Sequence, residues 1–512
     1  MITNNKKDLY FTVLEIALIV IAFLAVTWQF RAFYRDDAYI HMRYAKNLLT
    51  TGGFEYNIGQ PSFGTSAPFF TILLAGTGFI LRYNWLLASK LLCIFGHAAT
   101  VALFYTTLKK SINPPQTTRL TFLYKRYAFL VTLFMLCTPS AARWLQDGME
   151  TSLATLFAML ATLSSIYLYT KSPANILKYI LPAIACALPG ILRIDCIPIS
   201  VCAILVMFLV HRNAGKVGAA FICGTMLCTS YLIIYMLLGS FTPDTIYAKS
   251  SSFTLLWPVF GFIGPMLGMS PLWVLPGIIG IILIYKAFIT GSRERIHILI
   301  IVGLSLCPII AQIAAGTMAG QPVQGARYFL PALVFAWGML SLAPIHEKDN
   351  AKIIRANIYA QVTFVIMAII HCFILWPKFA TLSDPKHRVC IMPIQCKNKD
   401  ILIGCVDIGV IGWYSGARIF DLCGLVNGST LAKMKLKERI SATIDCMGPP
   451  DAFILTSPCS KQFRDNNGNL TISSDKYGII VYSNTEHKVF CDSNLQRTDA
   501  WYTLWLPTKS RH

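Results

Sequence analysis

At 512 residues, with 55% hydrophobic and only 13% charged side chains, the chain is too apolar for an ordinary soluble protein or a disordered one. Its 44 Lys and Arg against 24 Asp and Glu leave a formal net charge of +20. Residues 1–376 carry 27 basic and 12 acidic side chains, residues 377–512 carry 17 and 12, and the excess falls between apolar runs. Membrane topology places Lys and Arg in that way, so the charge does not point to nucleic acid.

The first apolar run, Phe11 to Phe30, is too long and too poorly flanked by small residues for a cleaved signal peptide and reads as a retained span. Charge-free windows at or near the roughly 17–25 residues that cross a bilayer fall at 16–30, 91–108, 127–142, 151–170, 217–239, 271–285, 298–315, 328–344 and 357–376. Two shorter runs, 179–192 and 196–210, flank Arg193 and Asp195 and predict a pair of short helices with a charged hinge. Segment 68–82 is ambiguous by length, and charge decides it. If it spans, Lys109, Lys110, Arg119, Lys125 and Arg126 fall opposite Lys6 and Lys7. With 68–82 and 251–268 both interfacial, about eleven spans place 17 basic residues inside and 10 outside before residue 377. The N-terminus is then cytoplasmic.

The expected fold is mainly α: a polytopic helical membrane domain over 1–376, including a first outer loop at 31–85, followed by a small extracytoplasmic α/β domain over 377–512. That last part is polar, with β-rich runs such as ILIGCVDIGVIGW and DAFILTSP and turn signals NNGN and GPP. It holds seven of the sixteen cysteines, enough for up to three disulfides in an oxidising compartment. No tight Cys-x-x-Cys pair suggests zinc.

This topology gathers Asp36, Asp37, Glu55, Asp147, Glu150, Asp195 and Asp244 on the outer face with Arg143, Arg193, Lys249 and Arg327. Ionisable groups at membrane borders commonly have a task. Asp36 and Asp37 open a helix of about a dozen residues ended by Gly52 and Gly53, where they could cap free N–H groups. An adjacent acid pair also suits a general base, and the helix dipole favours its ionised state. The loop NIGQPSFGTSAP, rich in Gly, Pro and small hydroxyl residues, is either a shaped pocket wall or a connector.

The run DDAYIHMRYAKNLLTTGGFEYNIGQPSFGTSAP resembles the first outer loop of GT-C superfamily membrane glycosyltransferases, in particular the mycobacterial terminal arabinofuranosyltransferase group and LphB-type proteins. SAARWLQDGMETSLA, LPGILRIDCIPI, FTPDTIYAK, QGARYFLPAL and CVDIGVIGWYSGARIFDLCGL resemble further family motifs in the family's order. The hinge has Ile194 where the family often has Pro, and the outer loop has Asp244 where Asn is common. The resemblance implies an inverting transfer of sugar from a polyprenyl-phosphate donor to a cell-envelope acceptor hydroxyl, at the outer face of a bacterial cytoplasmic membrane. It implies Asp36 or Asp37 as base, Lys249, Arg327 and Arg193 at the donor phosphate, and His41, Tyr39, Asn57, Glu150 and Tyr247 at the substrate.

No cofactor is required by these residues, although Asp36 and Asp37 with Glu55 or Asp147 could hold Mg²⁺ or Mn²⁺ through oxygen ligands. A transporter or flippase for a lipid-linked sugar is the alternative. Such folds commonly carry internal repeats, and none is evident in this sequence.

Overall fold

A computed structural model describes residues 2–111, 121–137, 139–171, 175, 177–209, 214–249, 400–456, 465–466, 469–474, 478–491 and 501–507. The spans expected at 271–285, 298–315, 328–344 and 357–376 and the interfacial segment 251–268 lie outside the described residues. Those that are described group into two units. One comprises Met1–Arg31 and Lys90–Ser230, and the other comprises Ala32–Ser89, Tyr231–Ser250 and the described part of Thr381–His512. Residues 32–89 thus group with the described part of the C-terminal segment.

The first unit is helical. Its elements are α1 (Ile2–Gln29), most of α4 (Trp85–Ser111), α5 (Thr121–Cys137), α6 (Pro139–Leu145), α7 (Thr151–Thr170), α8 (Leu177–Leu192), α9 (Ile197–Leu209) and the greater part of α10 (Ala214–Leu238). Among the described residues four stretches, Asp8–Gln29, Trp85–Lys110, Thr151–Thr170 and Ala214–Leu238, are long and apolar enough to cross a membrane. Helices α4 and α10 run past the charge-free windows, because a helix end can carry Lys and Arg toward the headgroups without breaking its backbone bonds.

Glu15 stands inside the first of these stretches. Its carboxylate meets Lys109 Nζ at 2.7 Å, Arg126 at 2.5 Å and the Tyr105 hydroxyl at 2.7 Å, which ties α1 to α4 and α5. An acid in an apolar span is tolerable when paired in this way.

Helices α8 and α9 are the expected short pair, with Arg193 extended and Ile194–Cys196 forming a 3₁₀ turn at the hinge. Pro182 and Pro189 lie within α8. The amide of Gly190 donates to Ser200 Oγ at 3.1 Å across the hinge. Neighbouring hydroxyls commonly re-satisfy backbone groups near such prolines.

In the second unit, α2 (Asp36–Thr51) ends at Gly52, whose φ of 75° is the left-handed cap that glycine takes without cost. A short hairpin follows, β1 (Glu55–Asn57) with β2 (Gln60–Pro61), and then α3 (Pro68–Ile80). At 13 residues α3 is about 20 Å long, short of the roughly 30 Å hydrocarbon core, and it packs on α2, where Phe70 and Thr71 meet His41.

The C-terminal part is a six-stranded mixed sheet built from β3 (Leu402–Cys405), β4 (Arg418–Asp421), β5 (Ala452–Thr456), β6 (Leu470–Ser474), β7 (Gly478–Cys491) and β8 (Trp501–Pro507). Its order is β4-β3-β5-β8-β7-β6, with β3 parallel to β4 and β5 and the other pairs antiparallel. Helices α12 (Ile408–Ser415), α13 (Ser429–Ala432) and α14 (Leu436–Met447) accompany it, and α11 (Asp244–Lys249) belongs to the same unit.

The run ILIGCVDIGVIGW, read as β-rich, is strand only over LIGC, and IGVIGW is the body of α12. Ile408 and Ile411 of α12 enter a core with Ile40, Tyr44, Phe54, Tyr56, Ile403, Ile419 and Ile454. Gly409 and Gly412 turn toward α2, where a methyl group on the first would collide with the Asp36 carbonyl and one on the second with the Tyr56 hydroxyl. Only hydrogen at these positions lets the helices approach. We expect Gly409→Ala to destabilise the second unit by about 1–3 kcal/mol through overpacking. Gly76→Ala, at a helical site with open space, should be neutral or stabilising by up to about 1 kcal/mol. Thermal unfolding of the two variants in detergent measures the contrast.

Candidate active site

The site is built on α2, and its first function is structural. Both oxygens of Asp36 accept amide hydrogens from the first turn of α12, Val410 N–H at 2.7 Å and Gly409 N–H at 3.1 Å. The residue preceding α12, Asp407, makes no side-chain cap to it, so a carboxylate from the other end of the sequence takes that place. Two helical turns further along α2, Arg43 donates to the Gly412 carbonyl at 2.7 Å and the Ala417 carbonyl at 2.7 Å, and its guanidinium lies 4.4 Å over the Tyr56 ring. An acid thus meets the positive end of α12 and a cation its negative end, and α2 and α12 run parallel.

Asp36 is half-buried, and loss of water around it is the largest influence on its carboxyl. Repulsion from Asp407 and Asp37 adds to this, so its titration moves well above the ordinary carboxylate range despite the two amide bonds. At Asp36 burial and the neighbouring acids thus oppose the helix dipole expected to hold the pair ionised. Asp37, in the same first turn, is half-buried. Helical spacing places it on the stripe shared with His41 and Tyr44.

That stripe holds the NIGQPSFGTSAP loop. The imidazole of His41 lies 3.0 Å from the Thr71 hydroxyl and 3.1 Å from that of Thr65, edge-on to Phe70. The Tyr44 hydroxyl lies 2.7 Å from Ser62 Oγ and accepts the Gly64 amide at 2.9 Å. Gly64 packs so closely on Leu425, Val426 and Tyr44 that a side chain would displace them. Glu55, considered as a metal ligand, accepts from Gly59 N–H at 2.8 Å and from the Thr51 hydroxyl at 3.0 Å.

Asn57, expected at the substrate, instead pairs with the edge of the sheet. Its amide donates to the Ile419 carbonyl at 2.8 Å and accepts from the Ile419 N–H at 2.9 Å, imitating a further strand beside β4. Asp244 makes a similar two-way contact: its carboxylate accepts Phe63 N–H at 3.0 Å and its own N–H donates to the Phe63 carbonyl at 2.8 Å. Tyr247, one turn on, lies 4.7 Å beneath Lys433. Lys249 is the last residue of α11. Arg327 lies outside the described residues.

Arg193 and Glu150 belong to the first unit. Only 1% exposed, Arg193 forks onto Asp195 at 2.8 and 2.7 Å and faces Glu150 at 3.4 Å. Glu150 sits at the start of α7 but makes no capping bond to it. The planar fork expected to hold phosphate thus faces the hinge's own Asp195, and Glu150 joins α7 to it. In the same unit Lys90, which the sequence did not single out, donates to the Gln146 carbonyl at 2.6 Å and the Phe30 carbonyl at 3.1 Å. Among the described residues no group of three or more His, Cys, Asp or Glu side chains is arranged to hold a metal ion.

No protein-family model and no curated protein sequence matches the chain. Solved structures do. ArnT from Cupriavidus metallidurans, bound to undecaprenyl phosphate, aligns over 98% of this chain and 98% of its own with a TM-score of 0.53 and 12% identity. Its apo form aligns over 92% and 97% with a TM-score of 0.50 and 13% identity. The archaeal oligosaccharyltransferase AglB from Archaeoglobus fulgidus, in complex with an inhibitory peptide and a dolichol-phosphate, aligns over 98% of this chain and 77% of its own, with a TM-score of 0.52 and 10% identity. The chain shares the overall fold of these solved structures. At these identities the likeness is one of fold.

Within the second unit the loop at Asp421 responds to pH. Its buried carboxylate accepts the amides of Cys423, Leu425 and Val426 at 2.8, 2.5 and 3.1 Å, yet burial pushes its pKa up to about 6. Burial does the same to Asp244, also to about 6, against the opposing Phe63 amide and Lys433. A carboxyl raised from its usual value of about 3.9 contributes stability that is fully present below about pH 4 and is lost as pH rises through about 6. The unfolding midpoint of the second unit is therefore expected to fall as pH rises from about 4 to about 6. Asp421→Asn should be less stable throughout but show a shallower pH slope, measured by thermal unfolding across that range.

Proposed function

We propose that this chain is a membrane glycosyltransferase. It transfers a sugar from a polyprenyl-phosphate donor to an acceptor hydroxyl of a cell-envelope glycan, lipid or protein, with inversion, at the outer face of a bacterial cytoplasmic membrane. The observation that carries this reading is the acid pair opening α2 in a chain with the GT-C fold, one acid anchored and the other in the same turn. ArnT and AglB were each solved with a polyprenyl-type phosphate, which supports a lipid-linked donor. The motif order supports a place near the terminal arabinofuranosyltransferase and LphB-type groups.

The anchored acid and the chemical acid are different residues in this proposal. Asp36 fixes α2 against α12. Asp37 takes the proton from the acceptor hydroxyl as its oxygen bonds to the anomeric carbon, while the bond from that carbon to the phosphate oxygen breaks and the lipid phosphate departs with the electron pair. Phosphate leaves without protonation, so the remaining need is fixed positive charge, assigned to Lys249 and Arg327. Arg193 holds the α8–α9 hinge. His41 and Tyr44 shape the loop, and Tyr39 contributes to sugar binding. If Mg²⁺ or Mn²⁺ takes part, Asp36 and Asp37 are the carboxylates that would hold it.

Purified protein offered a panel of polyprenyl-phosphate sugars and envelope acceptors should release lipid phosphate and form a glycoside. Asp37→Asn should lower turnover by roughly 10²–10⁴-fold with the unfolding midpoint unchanged. Asp36→Asn should lower both turnover and stability, because one amide of α12 loses its acceptor. Normal turnover in the Asp37 variant would remove the assignment.

A further inference from the structure

The last residues of the apolar helix α10 belong to the second unit. There Tyr235 and Phe241 stack at 4.5 Å with planes inclined by 16°, and both are exposed, as are Met236 and Leu237. Exposed rings and aliphatic chains at the end of such a helix mark the level of lipid headgroups. Leu238 packs instead on the core that holds Ile408 and Ile411. Gly239, with a φ of 66°, follows the helix, and Asp244 opens α11 after about 18 Å of chain at most. Helix α11, packed against α13, therefore lies close to that level.

Lys433, the residue after α13, places its ammonium 4.7 Å from the Tyr247 ring centroid. Asp244 and Tyr247 are one turn apart on α11, and the charge of Lys433 also acts on the Asp244 carboxylate. The lysine is nevertheless exposed, and it donates no hydrogen bond to any described residue. Its seat on the ring orders the side chain while leaving its N–H groups to an anion. Bulk headgroups need no such seat, whereas a single lipid phosphate held for reaction does. Asp244 also grips the loop at Phe63, and the next residues of that loop bond to Tyr44 and His41 of α2. One loop thus links the lysine's seat to the helix that Asp36 and Asp37 open.

We infer that Lys433, seated on Tyr247, binds the phosphate of the polyprenyl donor. The inference rests on the glycosyl transfer proposed above and adds to its phosphate site a cation from the α/β part of the chain. As the bond to the anomeric carbon breaks, the ammonium meets the charge that gathers on the departing phosphate oxygen.

The test uses the full chain in a neutral detergent, with undecaprenyl phosphate, phosphatidylglycerol and inorganic phosphate as separate probes read by native mass spectrometry. Undecaprenyl phosphate should bind the wild type, and Lys433→Gln should weaken it by roughly tenfold or more, the loss of one charged hydrogen bond. Lys433→Arg should restore most of the affinity, and phosphatidylglycerol should bind all three proteins alike. Thermal unfolding identifies a variant that fails to fold. Acetylation of Lys433 in the wild type, mapped by peptide mass spectrometry, then decides: undecaprenyl phosphate should protect the lysine and the other two probes should not. Equal affinity in Lys433→Gln, or acetylation indifferent to undecaprenyl phosphate, overturns the subsite. So does an equal effect with phosphatidylglycerol, which would make Lys433 a contact to bulk lipid, or with inorganic phosphate, which would make it a general anion site. If undecaprenyl phosphate binds through Lys433 but no donor yields a glycoside, the proposed transfer fails and the subsite stands. Glycoside formation with binding indifferent to Lys433 leaves the transfer and removes the subsite.

Discussion

The second unit depends on one pair of contacts made by a single helix. Asp36 accepts the leading amides of α12, and Arg43, seven residues on, donates to carbonyls at and just beyond its trailing end. The spacing matches two turns of α2 to the length of an eight-residue helix, about 12 Å. Neither contact would hold α12 alone. An isolated helix of that length is unstable in water, so its persistence rests on packing and on these charged ends. The glycines at 409 and 412 allow the approach, and the acid and the cation fix its direction.

Burial of carboxylates recurs through this unit with a consistent design. Asp36, Asp244 and Asp421 each accept backbone amides, and each is nevertheless pushed upward by loss of water. The amides orient the groups more than they solvate them. Two of the three hold irregular segments: Asp421 the loop after β4, and Asp244 the loop between β2 and α3. Backbone there has no ladder to join, and a side-chain acceptor replaces it.

Much of the local structure was readable. The Asp-led helix ending at Gly52, the short α3 and the broken α8–α9 pair follow from charge, length and glycine placement. The partners were not readable. IGVIGW is apolar enough for a buried strand, and only the acceptor for its amides, supplied by Asp36 more than 370 residues away, makes it a helix. Arg43 carries no signal of its own in the sequence, since its targets are carbonyls of that unforeseen helix and just beyond it. Asn57 has the composition of a ligand-binding amide, but the open edge of β4 claims it. Arg193 was identified as important, yet sequence could not show that Asp195, two residues away, fills its fork. Local signals survive in a one-dimensional reading, and pairings over hundreds of residues do not.

The sheet carries a consequence for biosynthesis. β8, the last strand described, lies between β5 and β7 and pairs with both. Until it is inserted, two interior edges stand open, and α2 emerges from the ribosome long before the helix it grips. Residues 32–89 must wait until the C-terminal part is made, so factors that shield unpaired strand edges would have their longest engagement with this protein at that stage.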